Sequence, residues 1–232
     1  MRVWPLMKGL VRDFIWALRW PWRRLHFWMV ESHRMRELER TILVVKRTHD
    51  QYVKHGFTNH ATIHNVALFL LLFERDIAYL KRDAVLALTN RRRQHIARQL
   101  SVQLYECSED MPQLLGKEFR ESLVALGAGD AEFKALKKVT KKLSAFKRTH
   151  HEALKEIRNV SGAHRDHRAA HQMRVIEDVD LVEVLRISGD LYEPIREFMP
   201  FLTALVSASG NMGVLVGELV RNPAVSIANG DE

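Results

Sequence analysis

One cysteine, six prolines and eleven glycines occur among 232 residues, and each scarcity excludes something. Cys107 has no partner for an intrachain disulfide; a lone thiol fits a reducing, cytoplasmic setting, where it serves as a small buried hydrophobe. With so few helix breakers, long uninterrupted helices are expected. No convincing run alternates apolar and polar residues as a strand would, and no segment repeats at a fixed period. The apolar run "VALFLLLF" at 66–73 fits a buried helix core and falls far short of the roughly 20 residues that cross a bilayer. GxGxxG, GxxxxGK[ST], HExxH and CxxC are all missing, which removes the usual nucleotide, zinc-protease and thiol-redox readings. Ser161 sits in no Gly-x-Ser-x-Gly elbow, so a nucleophilic hydrolase is not expected either.

What the chain has in excess is positive charge. Thirty-six Lys and Arg against 28 Asp and Glu give +8 and an isoelectric point near 9.8. That balance favours polyanionic partners, nucleic acid or anionic lipid. All five tryptophans fall within the first thirty residues, beside Arg2, Lys8, Arg12, Arg19, Arg23 and Arg24 and a single acid, Asp13. Wound as a helix, Lys8, Arg12 and Arg19 lie within about 40° of one another, and Leu6, Met7, Leu10, Val11, Phe14, Ala17 and Leu18 fill the opposite arc. This is the composition of a helix lying in a membrane interface, with Trp4, Lys8, Arg12, Trp16, Arg19 and Trp20 as the expected contacts. It would place the protein peripherally at the inner face of the membrane. The alternative is that the same helix docks on the rest of the protein or on a second subunit.

Pro21 is expected to break or kink the first helix. A long helix should follow from Trp22 to about Lys54, and "HGFTNH" at 55–60 should turn, with Gly56 as C-cap and Thr58 or Asn59 as the next N-cap. Further helices are expected over 61–82, from Ala84 to Glu109 (ended by "SEDMP"), and over 113–126. Asp130 can cap the next. Leu136, Val139, Leu143, Phe146, Ala153, Ile157 and Val160 then recur at spacings of three and four, with His150 in the one gap, and predict an amphipathic helix of some thirty residues. Its solvent face would carry a basic band: Lys137, Lys138, Lys141, Lys142, Lys147 and Arg148. A polar link leads to a last helix from about Asp178 to Tyr192, which Pro194 should stop or kink; a helical pattern resumes after Pro200. The fold is therefore expected to be all-α, an antiparallel helical bundle. Its expected parts are the Trp/Arg-rich helix (1–30), a long helical hairpin (31–84), a helical core (85–208) and a tail (209–232).

Two histidine sets have metal-like spacings, His60/His64 and His164/His167/His171. Arg165 and Arg168 stand among the second set, with only Asp166 as a nearby carboxylate. Surface or interface histidines are expected, and no metal or cofactor.

The stretch "RNVSGAHRD" at 158–166 carries the sharpest chemical signal. Arg158 and His164 are separated by five residues, and Asn159 follows the arginine. This resembles the Rx4–6H signature of the HEPN superfamily, all-α domains of which many are toxin or defence ribonucleases; the order of long helix, Arg-Asn…His-Arg-Asp, short link and helix is similar to the abortive-infection kind. The resemblance covers about residues 85–208. It implies metal-independent RNA cleavage at a homodimer interface, with a possible antitoxin or regulatory protein as a further partner. His164 would move the proton of the ribose 2′-hydroxyl, Arg158 would stabilise the phosphorane-like charge and Asn159 would position the phosphate or the histidine. Where toxins modified by a nucleotidyltransferase carry Tyr two residues after the histidine, this chain has Asp166. The bare spacing also occurs at Arg19–His26 and at Arg165–His171, so His171 remains a competing frame. On one continuous helix Arg158 and His164 would point about 120° apart. A second subunit or a helix end near Gly162 would have to bring them together. The reading from a different class is a non-catalytic helical module that docks on a membrane surface or a partner protein.

Overall fold

The computed structural model describes residues 4–161 and 169–209, with side chains from 25 to 160 and from 169 to 209. The described residues form seven helices and no strand: α1 (Trp4–Lys54), α2 (Thr58–Leu86), α3 (Asn90–Leu114), α4 (Lys117–Ala125), α5 (Asp130–Ser161), α6 (Ala169–Asp178) and α7 (Leu181–Ser209). The expected all-α bundle is what forms.

Polar contacts between helices give its sense. Along α5, Lys138, Lys142 and His150 meet Glu197, Glu193 with Glu197, and Asp190 of α7 in descending order. Lys147 and Arg158 likewise meet Glu109 and Glu106 of α3. Both α3 and α7 are therefore antiparallel to α5. α1 packs along α2, α2 adjoins α3 and α7, α4 closes against α2, and α6 lies against α5 and α3. One continuous core runs through them, from Val45 and Ile63 to Leu100, Leu123, Leu143, Leu191 and Phe198.

Several boundaries differ from the sequence reading, each for a local reason. α1 continues through Pro21 for 51 residues in all. A proline removes one N–H and crowds one carbonyl, a local cost that does not end the helix here. α2 runs on to Leu86, and α3 starts at Asn90 rather than Ala84 because the Thr89 hydroxyl accepts from the Arg92 amide. α3 also passes through Pro112 and stops only at Leu114. α7 is not stopped by Pro194 or Pro200, because Leu191, Ile195, Phe198 and Leu202 are buried on either side and hold it together. The link after α5 contains a helix of its own, α6, which the polar sequence hid. Gly56 does end α1 with φ 73°, but Phe57, not Thr58 or Asn59, stands at the cap of α2. Before α5 the Gly129 amide donates to Glu132 Oε2 at 3.0 Å, so Asp130 is the first helical residue and not the cap. On α5 itself, Ala153 is exposed and Leu154 takes its place in the core.

His60 and His64 are buried rather than at the surface, 0% and 2% exposed. They sit at the α1–α2 turn with the rings of Tyr52 and Phe57, centroids 4.9 to 6.0 Å apart. His64 Nδ1 lies 3.0 Å from the His60 carbonyl, and the Tyr52 hydroxyl donates to the Ser209 carbonyl at 3.0 Å, tying the end of α7 to this turn. Burial is the main influence on His64 and holds it below its ordinary value of 6.5; the His60 carbonyl opposes the shift, and His60 and His49 add to it. The folded state therefore favours the neutral ring, while the unfolded chain protonates as pH falls through about 6.5. Stability should decline from there until the folded ring protonates too. Urea midpoints at pH 7.5 and 5.5 should show a smaller decline for His64→Gln than for the wild type. An equal decline in both would remove His64 as its source.

Candidate functional site

α5 places the charged groups. Its buried seam of Leu136, Val139, Leu143, Phe146, His150 and Leu154 fixes how the helix is rolled, and every other position follows from that roll. The six-residue basic band expected from sequence does not face one way. Lys142 turns toward α7, with Nζ 2.8 Å from Glu193 Oε1 and 2.7 Å from Glu197 Oε1; Lys138 is 3.2 Å from Glu197 Oε2. Lys147 turns toward α3 and lies 2.8 Å from Glu109 Oε2. These three cations are partnered across the bundle. Hydrogen bonds from Lys142 and then Lys138 hold the Glu197 carboxyl below its usual range, and Lys142 in turn is held above its own by Glu193 and Glu197.

Lys137, Lys141 and Arg148 are exposed and make no ion pair among the described residues. Lys134 and Lys155, absent from the sequence reading, stand on the same face; the five cations lie within about 60° of one another around α5. The signal was available as spacings of three, four and seven from Lys134, and the neighbouring lysines obscured it.

Arg158 stands in the last turn of α5, where a cation suits the helix C-terminus. Its side chain is 47% exposed, with Nε 3.1 Å from Glu106 Oε1 and the guanidinium 5.6 Å from the centre of the Tyr105 ring. Asn159, next to it, is exposed. Two turns earlier on the same side, His151 lies 5.4 Å from the Tyr105 ring, centroid to centroid, and its Nδ1 is 3.1 Å from Glu109 Oε1. A hydrogen bond from Lys147, its charge and that of His151 hold the Glu109 carboxyl low. Arg158, His151, Tyr105, Glu106 and Glu109 thus form one polar cluster across α3 and α5. His151 was not singled out from sequence, although its spacing of seven from Arg158 puts both on one face.

His164 lies outside the described residues, as do Arg165, Asp166 and His167. His171, the competing histidine, is half-buried on α6. α6 folds back onto the end of α5, where Gln172 Nε2 donates to the Val160 carbonyl at 3.0 Å. Of the expected membrane contacts, Trp4, Lys8, Arg12, Trp16, Arg19 and Trp20 all lie on helical backbone of α1.

Among the described residues no three His, Cys, Asp or Glu side chains converge as a metal would require. Cys107 is buried, and desolvation pushes its thiol far above the reactive range. No described helix is long and apolar enough to cross a membrane. Comparison of the chain with protein-family models, with curated proteins and with solved structures gives no match.

Proposed function

We propose that the chain is a metal-independent endoribonuclease of the HEPN type, acting on RNA as a homodimer in toxin-like or antiphage defence. One observation carries the reading: Arg158 and Asn159 are exposed at the end of the helix whose outward face is the line Lys134, Lys137, Lys141, Arg148 and Lys155. Such a line attracts a phosphate backbone without regard to sequence and delivers it along α5. At its end, Arg158 offers a planar fork that matches phosphate oxygens. Glu106 and Tyr105 orient that fork in the free protein, and an incoming phosphate would replace Glu106 as its counter-ion.

The reaction is transesterification. His164 takes the proton from the ribose 2′-hydroxyl, whose oxygen attacks the adjacent phosphorus while the bond to the 5′-oxygen breaks and that oxygen takes a proton from water. Arg158 stabilises the extra charge on the phosphorane and Asn159 holds the phosphate. The products are a 2′,3′-cyclic phosphate and a 5′-hydroxyl. A regulatory partner would restrain an activity of this kind in the cell.

The test is cleavage of single-stranded RNA in EDTA by the full chain, His164→Ala and His171→Ala, with analysis of the product ends. Activity that survives EDTA, yields cyclic phosphates and is lost only with His164→Ala is expected. Loss only with His171→Ala moves the proton-transfer group to α6. No cleavage by the folded wild-type protein overturns the reading.

A further inference from the structure

We infer that the first half of α1 is an interfacial helix that seats the protein on an anionic bilayer, with a contact stripe that runs unbroken past Pro21 to Met29. Three observations support this. First, α1 is one helix from Trp4 to Lys54, so its helical phase carries across Pro21 and residues on both sides share one register. Second, α1 has 51 residues and its packing partner α2 has 29, so 22 residues of α1 exceed the length α2 can cover. Third, where side chains are described near that limit, Leu25, Trp28 and Met29 are 46%, 50% and 50% exposed. Large apolar side chains left half in water on consecutive turns mark a contact surface.

The register extends this surface. Met7, Val11, Phe14, Leu18, Leu25 and Met29 fall within about 60° of one another around the helix, a stripe some 22 residues long. Lys8, Arg12, Arg19 and Arg23 occupy a second arc about 60° wide along one flank. Across residues 1–30 six Lys and Arg face a single acid, Asp13. An apolar stripe bordered by cations matches the boundary between acyl chains and anionic headgroups, where the cations reach phosphate while the stripe is buried. A second copy paired antiparallel through the stripe would bring two such cationic flanks to the same side, and a pair of either sense would leave the cations without the anionic groups that a bilayer supplies. Of the contacts expected from sequence, Lys8, Arg12 and Arg19 belong to the cationic flank, and Trp16 and Trp20 fall outside the apolar stripe in register.

All five tryptophans lie between residues 4 and 28, so tryptophan fluorescence, excited selectively over the four tyrosines, reports on this segment alone. The experiment is flotation of the full chain with vesicles of phosphatidylcholine alone or mixed equally with phosphatidylglycerol, together with tryptophan emission and quenching by brominated lipid. Wild type should float with the mixed vesicles, shift its emission to shorter wavelength and be quenched. Leu25→Glu/Met29→Glu alters only half-exposed positions; it should keep the helical circular dichroism and bind about 100-fold more weakly, as expected when two apolar side chains no longer enter the interface. Arg12→Ala/Arg19→Ala should lose the preference for the anionic vesicles. Equal binding to neutral and anionic vesicles, or unchanged binding by the Glu variant, overturns the inference. So does a dimer formed without lipid through the same stripe and abolished by the Glu variant. RNA cleavage in solution plays no part in any of these readouts.

Discussion

Arg158→Ala is expected to lower RNA cleavage in EDTA by about 100- to 1,000-fold, the usual cost of removing one donor aimed at transition-state charge. Folding should barely notice. The Arg158 side chain is 47% exposed and its Glu106 partner 43% exposed, and a pair this open contributes about 0–1 kcal/mol. Thermal denaturation in parallel separates the two roles. A large loss of cleavage with an unchanged midpoint means that Arg158 acts on the substrate; unchanged cleavage means that its place is only to pair with α3. Glu106→Gln supplies the converse. It frees the guanidinium from its counter-ion while keeping a hydrogen-bond acceptor, so cleavage should hold or rise. If cleavage falls as far as in Arg158→Ala, the Glu106 carboxylate is itself needed.

The largest effect on stability should come from Phe198→Ala. Phe198 is fully buried, edge-on to Phe119 at 6.2 Å between ring centroids and 5.5 Å from Phe201. It stands on α7 between Pro194 and Pro200, where the helix forgoes two backbone donors and side-chain packing supplies the compensation. Removing the ring should cost about 3–5 kcal/mol. For a chain of this size that lowers the melting midpoint by about 6–20 °C. Val182→Ala, at a side chain 72% exposed on the same helix, should change stability by less than about 0.5 kcal/mol. Calorimetry or urea titration of the pair checks both. Equal, small effects would mean that α7 does not depend on its buried face.

The α5 seam was legible because apolar residues recur at three and four along most of the helix, and a buried polar residue, His150, could be read from its place within it; Ala153, taken for Leu154, was the one misplaced position. Proline was the poor guide. Read locally, Pro21, Pro112, Pro194 and Pro200 each suggest an end, yet tertiary burial or helix length carries the chain through all four. The histidines at 60 and 64 show the opposite limit. Polar residues four apart beside a turn look like surface groups, and only the arrival of Tyr52 and Phe57 from the neighbouring segment encloses them. The basic band was legible in composition and not in direction. Where Lys138, Lys142 and Lys147 point depends on the acids that α7 and α3 place beside them. Arg158 and Asn159 were named from the motif alone; Tyr105 and Glu106, which meet Arg158, come from tertiary packing that no short motif encodes, whereas His151 stood within reach of the sequence, seven residues earlier on the same helix.

The unbroken course of α1 has a consequence for how the molecule would be held once adsorbed. A flexible tether fixes distance and leaves angle free, whereas 22 helical residues form a stiff rod about 33 Å long. With that rod lying among headgroups, the α1–α2 hairpin that continues it would be kept flat to the bilayer, and the bundle could no longer tumble. The cationic face of α5 would then stand at a set inclination to the bilayer instead of turning freely through solution.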